Sequence, residues 1–267
     1  MERGICLLSV AAMRREPSHR SELVNQLVFG DPFEILEHHQ EWCLIRMAFD
    51  GYQGWINLNQ MSPLDQVEWQ AIQSQTTKTV STDLIQVLED KTRDTRFAVG
   101  PGCSFPFFDQ GRFSLSGKVY EYPGEVFTSK YPAYDQVGRH AMIFLNTPYL
   151  WGGRSPMGID CSGLTQLAYK MAGITIARDA SLQAQHGQTI HLINEAQPGD
   201  LLFFDNEEQQ ITHVGILINE GHIIHAHGKV RIDLIDHHGI YNLDLRKYTH
   251  QLRIIKRIHA ETHQFLR

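Results

Sequence analysis

The sequence has few of the features that mark several large classes of protein. It has four cysteines in 267 residues and no C-x-x-C pair, so structural zinc and thioredoxin-type redox chemistry are poorly supported. Its longest apolar runs, such as Ala141–Leu145, are far shorter than the roughly 20 residues of a membrane-spanning helix. The 24 basic residues are outnumbered by 30 acidic ones and form no long run. These shortages predict a soluble protein that binds neither nucleic acid nor membrane and works in a reducing compartment.

The amino terminus carries one segment that resembles an export signal. Ile5–Ala12 is apolar, but Glu2 cancels the charge of Arg3, and Arg14 and Arg15 follow at once. We therefore expect a first β-strand here and a cytoplasmic protein, with a periplasmic or secreted one as the alternative. The hydrophobic content of 42% and charged content of 20% are ordinary for a globular chain, which excludes disorder.

The amino-terminal half is patterned as short strands. The spacing of turn-forming residues predicts a small antiparallel barrel with strands at Ile5–Met13, Leu23–Phe29, Phe33–His38, Trp42–Ala48 and Gly54–Asn57. A connecting helix is expected next, with Ser62 as its cap and Pro63 at its first position. A second β-rich stretch, residues 79–122, resembles the first only faintly.

In the rest of the chain, helices come first and antiparallel strands follow. Helices are predicted at Asp135–Asn146 and from Ser162 to Gly173, the second with a single apolar face. Strands are predicted at Leu201–Phe204, Thr212–Ile218 and His222–His227. This order is typical of the α+β fold class.

Cys161 is the candidate nucleophile. It lies where a loop with three glycines and a proline meets the helix that starts near Ser162. Unpaired N–H groups and the positive end of the helix dipole favour the thiolate there. The alternative is a small buried hydrophobe, which is how Cys6, Cys43 and Cys103 are interpreted.

A hairpin supplies the candidate base. The loop Asn219–Gly221 fits a three-residue turn with Gly last, which places Ile218 opposite His222. On that register His213 and the two later histidines of the hairpin lie on one side.

Two roles are open to these histidines. His213 is the predicted base, and an imidazole at His225 or His227 is in position to orient it in a Cys-His-His triad. The same three side chains could instead be ligands of a zinc hydrolase. A metal hydrolase needs no activated thiol, however, and no acidic residue adjoins the His225–His227 pair in the sequence.

Five motifs then resemble, in order, those of NlpC/P60 cysteine peptidases. They are Pro148-Tyr149-Leu150-Trp151-Gly152-Gly153, Gly158-Ile159-Asp160-Cys161-Ser162-Gly163-Leu164, Arg178-Asp179-Ala180-Ser181, Pro198-Gly199-Asp200-Leu201-Leu202-Phe203-Phe204 and Thr212-His213-Val214-Gly215-Ile216. This resemblance covers residues 132–258. Residues 13–18 and 21–24 resemble bacterial SH3 (SH3b) domains, and the combination resembles γ-D-glutamyl-L-diamino-acid endopeptidases, also called dipeptidyl-peptidase VI.

The resemblance implies a domain order and a fold. It implies an SH3b domain at 1–62, a connecting helix or linker at 63–78, a second, divergent SH3b-like domain at 79–130 and a papain-like catalytic domain at 131–267. It also implies Cys161 as nucleophile, His213 as base and His225, rather than His227, as the third residue. The Tyr149 hydroxyl and the Cys161 N–H would stabilise the oxyanion.

Substrate-binding residues follow from the same resemblance. Asp160, Ser162 and Ser181 match positions that hold substrate, although helix capping suits Asp160, Asp179 and Ser181 equally. Glu22 and Tyr52 of the first barrel are the expected acid and tyrosine for the substrate's amino group. A misread turn would move that pair to Glu16 or Trp55.

The implied reaction cleaves L-Ala-γ-D-Glu-L-diamino acid after D-Glu, with no metal or organic cofactor, in the recycling of cell-wall peptides. The alternatives are a secreted endopeptidase acting on intact peptidoglycan and a wall-peptide-binding protein without catalysis. The resemblance leaves open whether the diamino acid is meso-diaminopimelate or lysine.

Overall fold

The computed structural model describes residues 2–259, so residue 1 of the first predicted domain and residues 260–267 of the last lie outside the described residues. The chain divides into two compact units. Unit 1 consists of Met1–Tyr131 and Trp151–Pro156, and unit 2 of Pro132–Leu150 and Met157–Arg267.

The regular elements of unit 1 are mainly strands. They are β1 Arg3–Ile5, β2 Val10–Arg14, β3 Leu23–Val28, β4 Pro32–His39, β5 Trp42–Met47, β6 Gln53–Asn57, β7 Ser62–Pro63, β8 Lys78–Ser81, β9 Gln86–Asp90, β10 Thr95–Val99, β11 Arg112–Leu115, β12 Lys118–Glu121, β13 Val126–Ser129 and β14 Arg154–Ser155. The one α-helix of its described residues is α1, Gln66–Ser74. The first seven strands form one antiparallel sheet in the order β3-β2-β6-β5-β4-β1-β7.

Two local expectations for this unit are wrong. The segment Ile5–Met13 is not one strand, because the chain leaves the sheet between β1 and β2. Ser62 and Pro63 do not start a helix: they pair with β1 as β7, and Asp65 caps α1 by accepting a hydrogen bond from the Glu68 N–H at 2.8 Å. Asp is as good a cap as Ser, and it stands closer to the first helical turn.

The two β-rich stretches of unit 1 share a hydrophobic cluster. Phe29 from the first stretch packs edge-on against Phe105, Phe113 and Tyr120 from the second, at centroid distances of 5.2 to 6.1 Å. A separate cluster inside the first stretch includes Met13, Phe33 and Ile45. The second stretch is therefore packed on the first through aromatic rings.

Unit 2 places helices before strands along the chain. Its elements are α2 Val137–Met142, β15 Gly158–Ile159, α3 Cys161–Met171, α4 Ala180–Gln183, β16 Gln188–Ile190, β17 Leu201–Asp205, β18 Ile211–Asn219, β19 His222–His227, β20 Lys229–Ile235, β21 Gly239–Asn242 and β22 Lys247–Arg257. The antiparallel sheet has the order β16-β22-β17-β18-β19-β20-β21, and β22 also pairs with β21. The α+β class predicted from the sequence is confirmed.

Helix α3 lies at the centre of unit 2. It packs against α2 and β18. All of its residues are buried, whereas the sequence predicts that only a single apolar face is buried. The buried polar residues are compatible with this position because they are hydrogen-bonded: Thr165 donates to the Gln183 Oε1 at 2.8 Å, and Gln166 donates to the Ile176 carbonyl. Gly173 ends the helix with a positive φ of 76°, which glycine adopts without strain.

None of the helices in residues 2–259 combines the length and apolarity of a bilayer-spanning segment.

Candidate active site

Cys161 is the first residue of α3, as the sequence predicts. Asp160 is the N-cap, and its Oδ1 accepts a hydrogen bond from the Gly163 N–H at 2.7 Å. The thiol forms hydrogen bonds with the backbone of Ser162 and of Val214, the residue that follows His213 on β18. The start of α3 and β18 therefore bring the sulfur against the strand that carries the candidate base.

The expected ionisation of this thiol is wrong for the resting structure. Burial, with only 7% of Cys161 exposed, raises its pKa to about 12, and the charge of Asp160 acts in the same direction. The hydrogen bonds from Val214 and Ser162 and the charge of Arg178 lower the pKa by less than burial raises it. Desolvation disfavours an anion more strongly than one helix end favours it, so the resting side chain is a neutral thiol.

The glycines before Cys161 allow close approach to neighbouring parts of the chain. Gly152 has a positive φ of 73°, and a Cβ there would overlap the backbone of Leu23 within unit 1. A Cβ on Gly158 would stand 2.6 Å from the Leu150 side chain within unit 2. These glycines are explained by packing.

The β18–β19 hairpin brings two of the predicted histidines together. The His213 Nε2 and the His225 Nδ1 are 2.8 Å apart, and both side chains are buried. His227 is exposed, with its ring centroid 6.5 Å from that of His213. The geometry therefore gives His213 the partner that the resemblance implies.

The turn of this hairpin differs from the predicted one. Asn219 pairs with His222 across a two-residue turn, so the expected pairing of Ile218 with His222 is wrong. Ile218 forms a bulge, and the extra residue restores the register so that Gly215 pairs with His225. A bulge and a shorter turn together give the same alignment as a three-residue turn.

Sequence reasoning missed Asp233, which lies next to His225. The His225 Nε2 is 3.0 Å from the Asp233 Oδ2, and Asp233 is 1% exposed. Arg231 forms two hydrogen bonds to the same carboxylate, at 2.7 and 2.8 Å. The expectation that no acidic residue adjoins His225 and His227 is wrong for the folded protein. β20 follows β19 through a turn at Gly228, and their pairing places Asp233 diagonally across from His225.

Burial holds both hairpin histidines neutral. It lowers the pKa of His213 well below the ordinary value, and the neighbouring histidines lower it further. Burial also lowers the pKa of His225, although Asp233 opposes the shift. For Asp233 itself, burial would raise the pKa, but the hydrogen bonds from His225 and Arg231 outweigh it and lower the pKa. The resting pair is two neutral imidazoles next to a carboxylate.

Asp160 and Ser162 belong to a buried network around Arg178. The Arg178 guanidinium donates to the two Asp160 oxygens at 2.9 and 2.6 Å and to the Ser162 Oγ at 2.8 Å. All three residues are at most 6% exposed. Asp160 therefore caps α3, and substrate binding by Asp160 and Ser162 stays a prediction.

Tyr149 and Ser181, the other two predicted residues of unit 2, are more accessible. Tyr149 is 36% exposed, and partial burial, followed by electrostatic repulsion from Cys161 and Asp160 once these groups are ionised, raises its pKa to about 12. Ser181 lies in α4 and lines a cavity of about 720 Å³ with Leu192 and Arg253. Asp179 precedes α4, but its side chain accepts no capping bond.

Glu22 and Tyr52, the predicted amine-binding pair, both lie in unit 1. The Glu22 Oε1 accepts a hydrogen bond from the Trp151 Nε1 at 2.7 Å, and its Oε2 is 2.9 Å from the Arg15 guanidinium. Tyr52 packs against the hydrophobic cluster of the first barrel. Their role in binding stays a prediction.

The part of the chain that the structure describes contains no cluster of side chains suited to binding a metal ion. In residues 2–259, no three or more His, Cys, Asp or Glu side chains are arranged to hold an ion. The zinc alternative requires such an arrangement of His213, His225 and His227.

Comparison with known families and proteins agrees with this geometry. Residues 146–251 match the NlpC/P60 family, and residues 13–61 match the bacterial dipeptidyl-peptidase Sh3 domain. Dipeptidyl-peptidase 6 of Lysinibacillus sphaericus is 28% identical over 269 residues, which is 91% of this chain and 95% of that protein. A gamma-D-glutamyl-L-lysine dipeptidyl-peptidase of Bacillus cereus is 40% identical over 97 residues, but the match is 36% of this chain and spans only 29% of that relative.

A solved structure supports the fold over almost the whole chain. The structure of an NlpC/P60 family protein from Bacillus cereus aligns with 96% of this chain and over 99% of its own length. The TM-score is 0.80 and the sequence identity is 21%. The fold class and family resemblance predicted from the sequence are confirmed. The chain thus contains an NlpC/P60 domain of the peptidase type and an amino-terminal bacterial SH3 domain.

Proposed function

We propose that this protein is a cysteine endopeptidase that hydrolyses the γ-D-Glu–L-diamino acid bond of murein peptides with a free amino-terminal L-Ala. The observation that carries the proposal is the position of the Cys161 thiol at the start of α3, hydrogen-bonded to the backbone of Val214 next to His213. Two relatives are named dipeptidyl-peptidase 6 and gamma-D-glutamyl-L-lysine dipeptidyl-peptidase, and these names support the substrate class.

The chemistry follows from the neutral resting pair. His213 takes the thiol proton as the Cys161 sulfur attacks the γ-carboxamide carbon of D-Glu. The Tyr149 hydroxyl and the Cys161 N–H donate hydrogen bonds to the oxyanion. Collapse of the intermediate expels the amine of the diamino acid, which takes the proton from His213, and leaves a thioester.

The second half-reaction returns the enzyme to its resting state. A water gives a proton to His213 and attacks the thioester carbon, and the second intermediate expels the sulfur. Cys161 then recovers the proton from His213, and L-Ala-D-Glu leaves. Both halves use a neutral imidazole as base, the form that burial favours for His213.

We further propose that the substrates are released wall peptides rather than intact peptidoglycan, and that the enzyme acts in the cytoplasm. The four cysteines are free thiols in the structure, which fits a reducing compartment. Fractionation of cells that produce the full-length protein tests the location. Recovery in the periplasm or medium would contradict it.

The deciding experiment incubates the protein with L-Ala-γ-D-Glu-diaminopimelate, its N-acetylated form and polymeric peptidoglycan, followed by mass spectrometry. We expect cleavage of the free-amine tripeptide alone, no turnover by Cys161→Ala, inhibition by iodoacetamide and no effect of chelators. Cleavage of the polymer at a similar rate would support an enzyme that degrades the wall. Binding of the tripeptide without turnover by the wild type would support a binding protein.

A further inference from the structure

We infer that Asp233 is a positioning residue that fixes the tautomers of His225 and His213 and so leaves the correct nitrogen of His213 free to accept the thiol proton. This rests on the proposed role of Cys161 and His213. Asp233 is buried in unit 2 at 1% exposure, and it contacts the histidine pair through His225.

Hydrogen bonds from its neighbours keep Asp233 in the ionised form. Its two oxygens receive three hydrogen bonds, two from Arg231 and one from the His225 Nε2. A carboxylate in this setting is an acceptor only, so the nitrogen that faces it must carry a proton. Arg231 balances the buried negative charge and is itself held by Asp244 at 2.8 Å.

The proton on the His225 Nε2 in turn fixes the tautomer of His213. A neutral imidazole has one N–H and one bare nitrogen. With its Nε2 protonated towards Asp233, His225 presents a bare Nδ1 to the His213 Nε2, which is 2.8 Å away. The His213 Nε2 must then be the protonated nitrogen, and its Nδ1 is the bare one.

The tautomer of His213 decides whether this ring can act as the base. A base must have a free lone pair, and the hydrogen bond to His225 occupies the other side of the His213 ring. If His225 were protonated at Nδ1 instead, it would force the His213 proton onto the nitrogen that has to receive the thiol proton. A single buried carboxylate therefore selects the productive state of both rings.

The test compares Asp233→Asn with a matched control, Asp244→Asn. An amide at 233 can donate as well as accept, so it no longer forces a proton onto the His225 Nε2. The control removes the other carboxylate that Arg231 contacts, and that side chain is 77% exposed. We expect kcat to fall by about 100-fold or more for Asp233→Asn, with KM changed by less than about 2-fold, and near wild-type values for Asp244→Asn.

A double-mutant cycle separates positioning from a general structural effect. In a His225→Ala background, Asp233→Asn should cause no further loss of kcat, because Asp233 acts through His225. If the two losses multiply, or if Asp233→Asn behaves like Asp244→Asn, the inference is overturned.

A measurement without substrate keeps the inference testable if a variant fails to fold or the substrate class is wrong. ¹⁵N NMR of the full-length, ¹⁵N-histidine-labelled wild type reports which ring nitrogen is protonated. We expect the proton on Nε2 of both His213 and His225, assigned with His213→Gln and His225→Gln variants. A proton on the His225 Nδ1 contradicts the inference, whereas failure of the wild type to cleave the tripeptide contradicts the proposed function.

Discussion

His250 stacks its imidazole ring on that of His213, with the centroids 4.2 Å apart and the ring planes inclined by 26°. His250 comes from β22, and no motif in the sequence marks it. Burial, together with electrostatic repulsion between His250 and protonated forms of His225 and His227, lowers its pKa to about 4, against a smaller opposing effect of Asp233. The stacked ring covers one side of the base and is uncharged near neutral pH, which favours the neutral His213 that the mechanism requires.

The stability of the fold should therefore depend on pH below neutrality. The pKa of His250 falls from an ordinary 6.5 to about 4 on folding, so between these values the unfolded chain binds more protons than the folded one. The stabilising contribution is complete above pH 6.5 and is lost as the pH falls from 6.5 to 4. His213 and His225, whose pKa values are also lowered, act in the same direction.

Urea denaturation at intervals from pH 7 to pH 4 measures this dependence. We expect the wild-type free energy of unfolding to fall over the window and His250→Gln to show a shallower fall, because glutamine does not titrate. His191→Gln, at an exposed position in the same unit, is the control and should follow the wild type. Equal pH dependence in all three proteins would refute the assignment.

Alkylation of Cys161 should show the raised pKa of its thiol. Iodoacetamide reacts with the thiolate, and below a pKa of about 12 the thiolate fraction rises about tenfold per pH unit. The rate should therefore keep rising from pH 7 to pH 9, measured by mass spectrometry of the Cys161 peptide. The peptides that contain the other three cysteines, which are also buried, give the internal comparison in the same digest. A rate that levels off below pH 8 would show that the resting enzyme already holds a thiolate.

Much of this site could be predicted from the chain because its parts are local. A cysteine after an Asp cap and before an apolar helical pattern predicts the start of α3, and the spacing of His213 and His225 around Gly221 predicts one shared face. The bulge at Ile218 was not predictable, since a bulge has no fixed residue signature. The pairing of Gly215 with His225 is nevertheless the predicted one, because the extra residue in the strand compensates for a turn that is one residue shorter.

The missed residues lie on strands outside the β18–β19 hairpin. Asp233 reaches His225 only because β20 follows β19 through Gly228, a turn whose register the sequence could have given. His250 reaches His213 only because β22 lies on the other side of β17, which depends on how the sheet is assembled. The raised pKa of Cys161 is also a tertiary effect, because burial outweighs the helix end that the sequence reveals.

The Arg178–Asp160 ion pair should be important for stability. Both side chains are buried, so Arg178→Gln leaves a carboxylate without its cation, which costs about 3–5 kcal/mol of unfolding free energy. Asp160 also raises the pKa of Cys161, an effect that Arg178 opposes, so activity should fall as well. Arg253→Gln removes a longer pair to Asp205, at 3.5 Å with Arg253 55% exposed, and should cost less than about 1 kcal/mol. Chemical denaturation of both variants provides the comparison, and similar losses would contradict it.

Removal of the Tyr149 hydroxyl should slow the chemical step without weakening substrate binding. The proposed oxyanion exists only in the intermediates and the transition states that flank them, so a donor to it stabilises those states and not the bound substrate. We expect Tyr149→Phe to lower kcat by about 10- to 1,000-fold with little change in KM, measured with the free-amine tripeptide. Tyr248→Phe is the matched control, because it removes a hydroxyl that donates to Asp236 at an exposed position of the same unit. A rise in KM for Tyr149→Phe with kcat unchanged would instead make Tyr149 a binding residue, and the oxyanion would need another donor besides the Cys161 N–H.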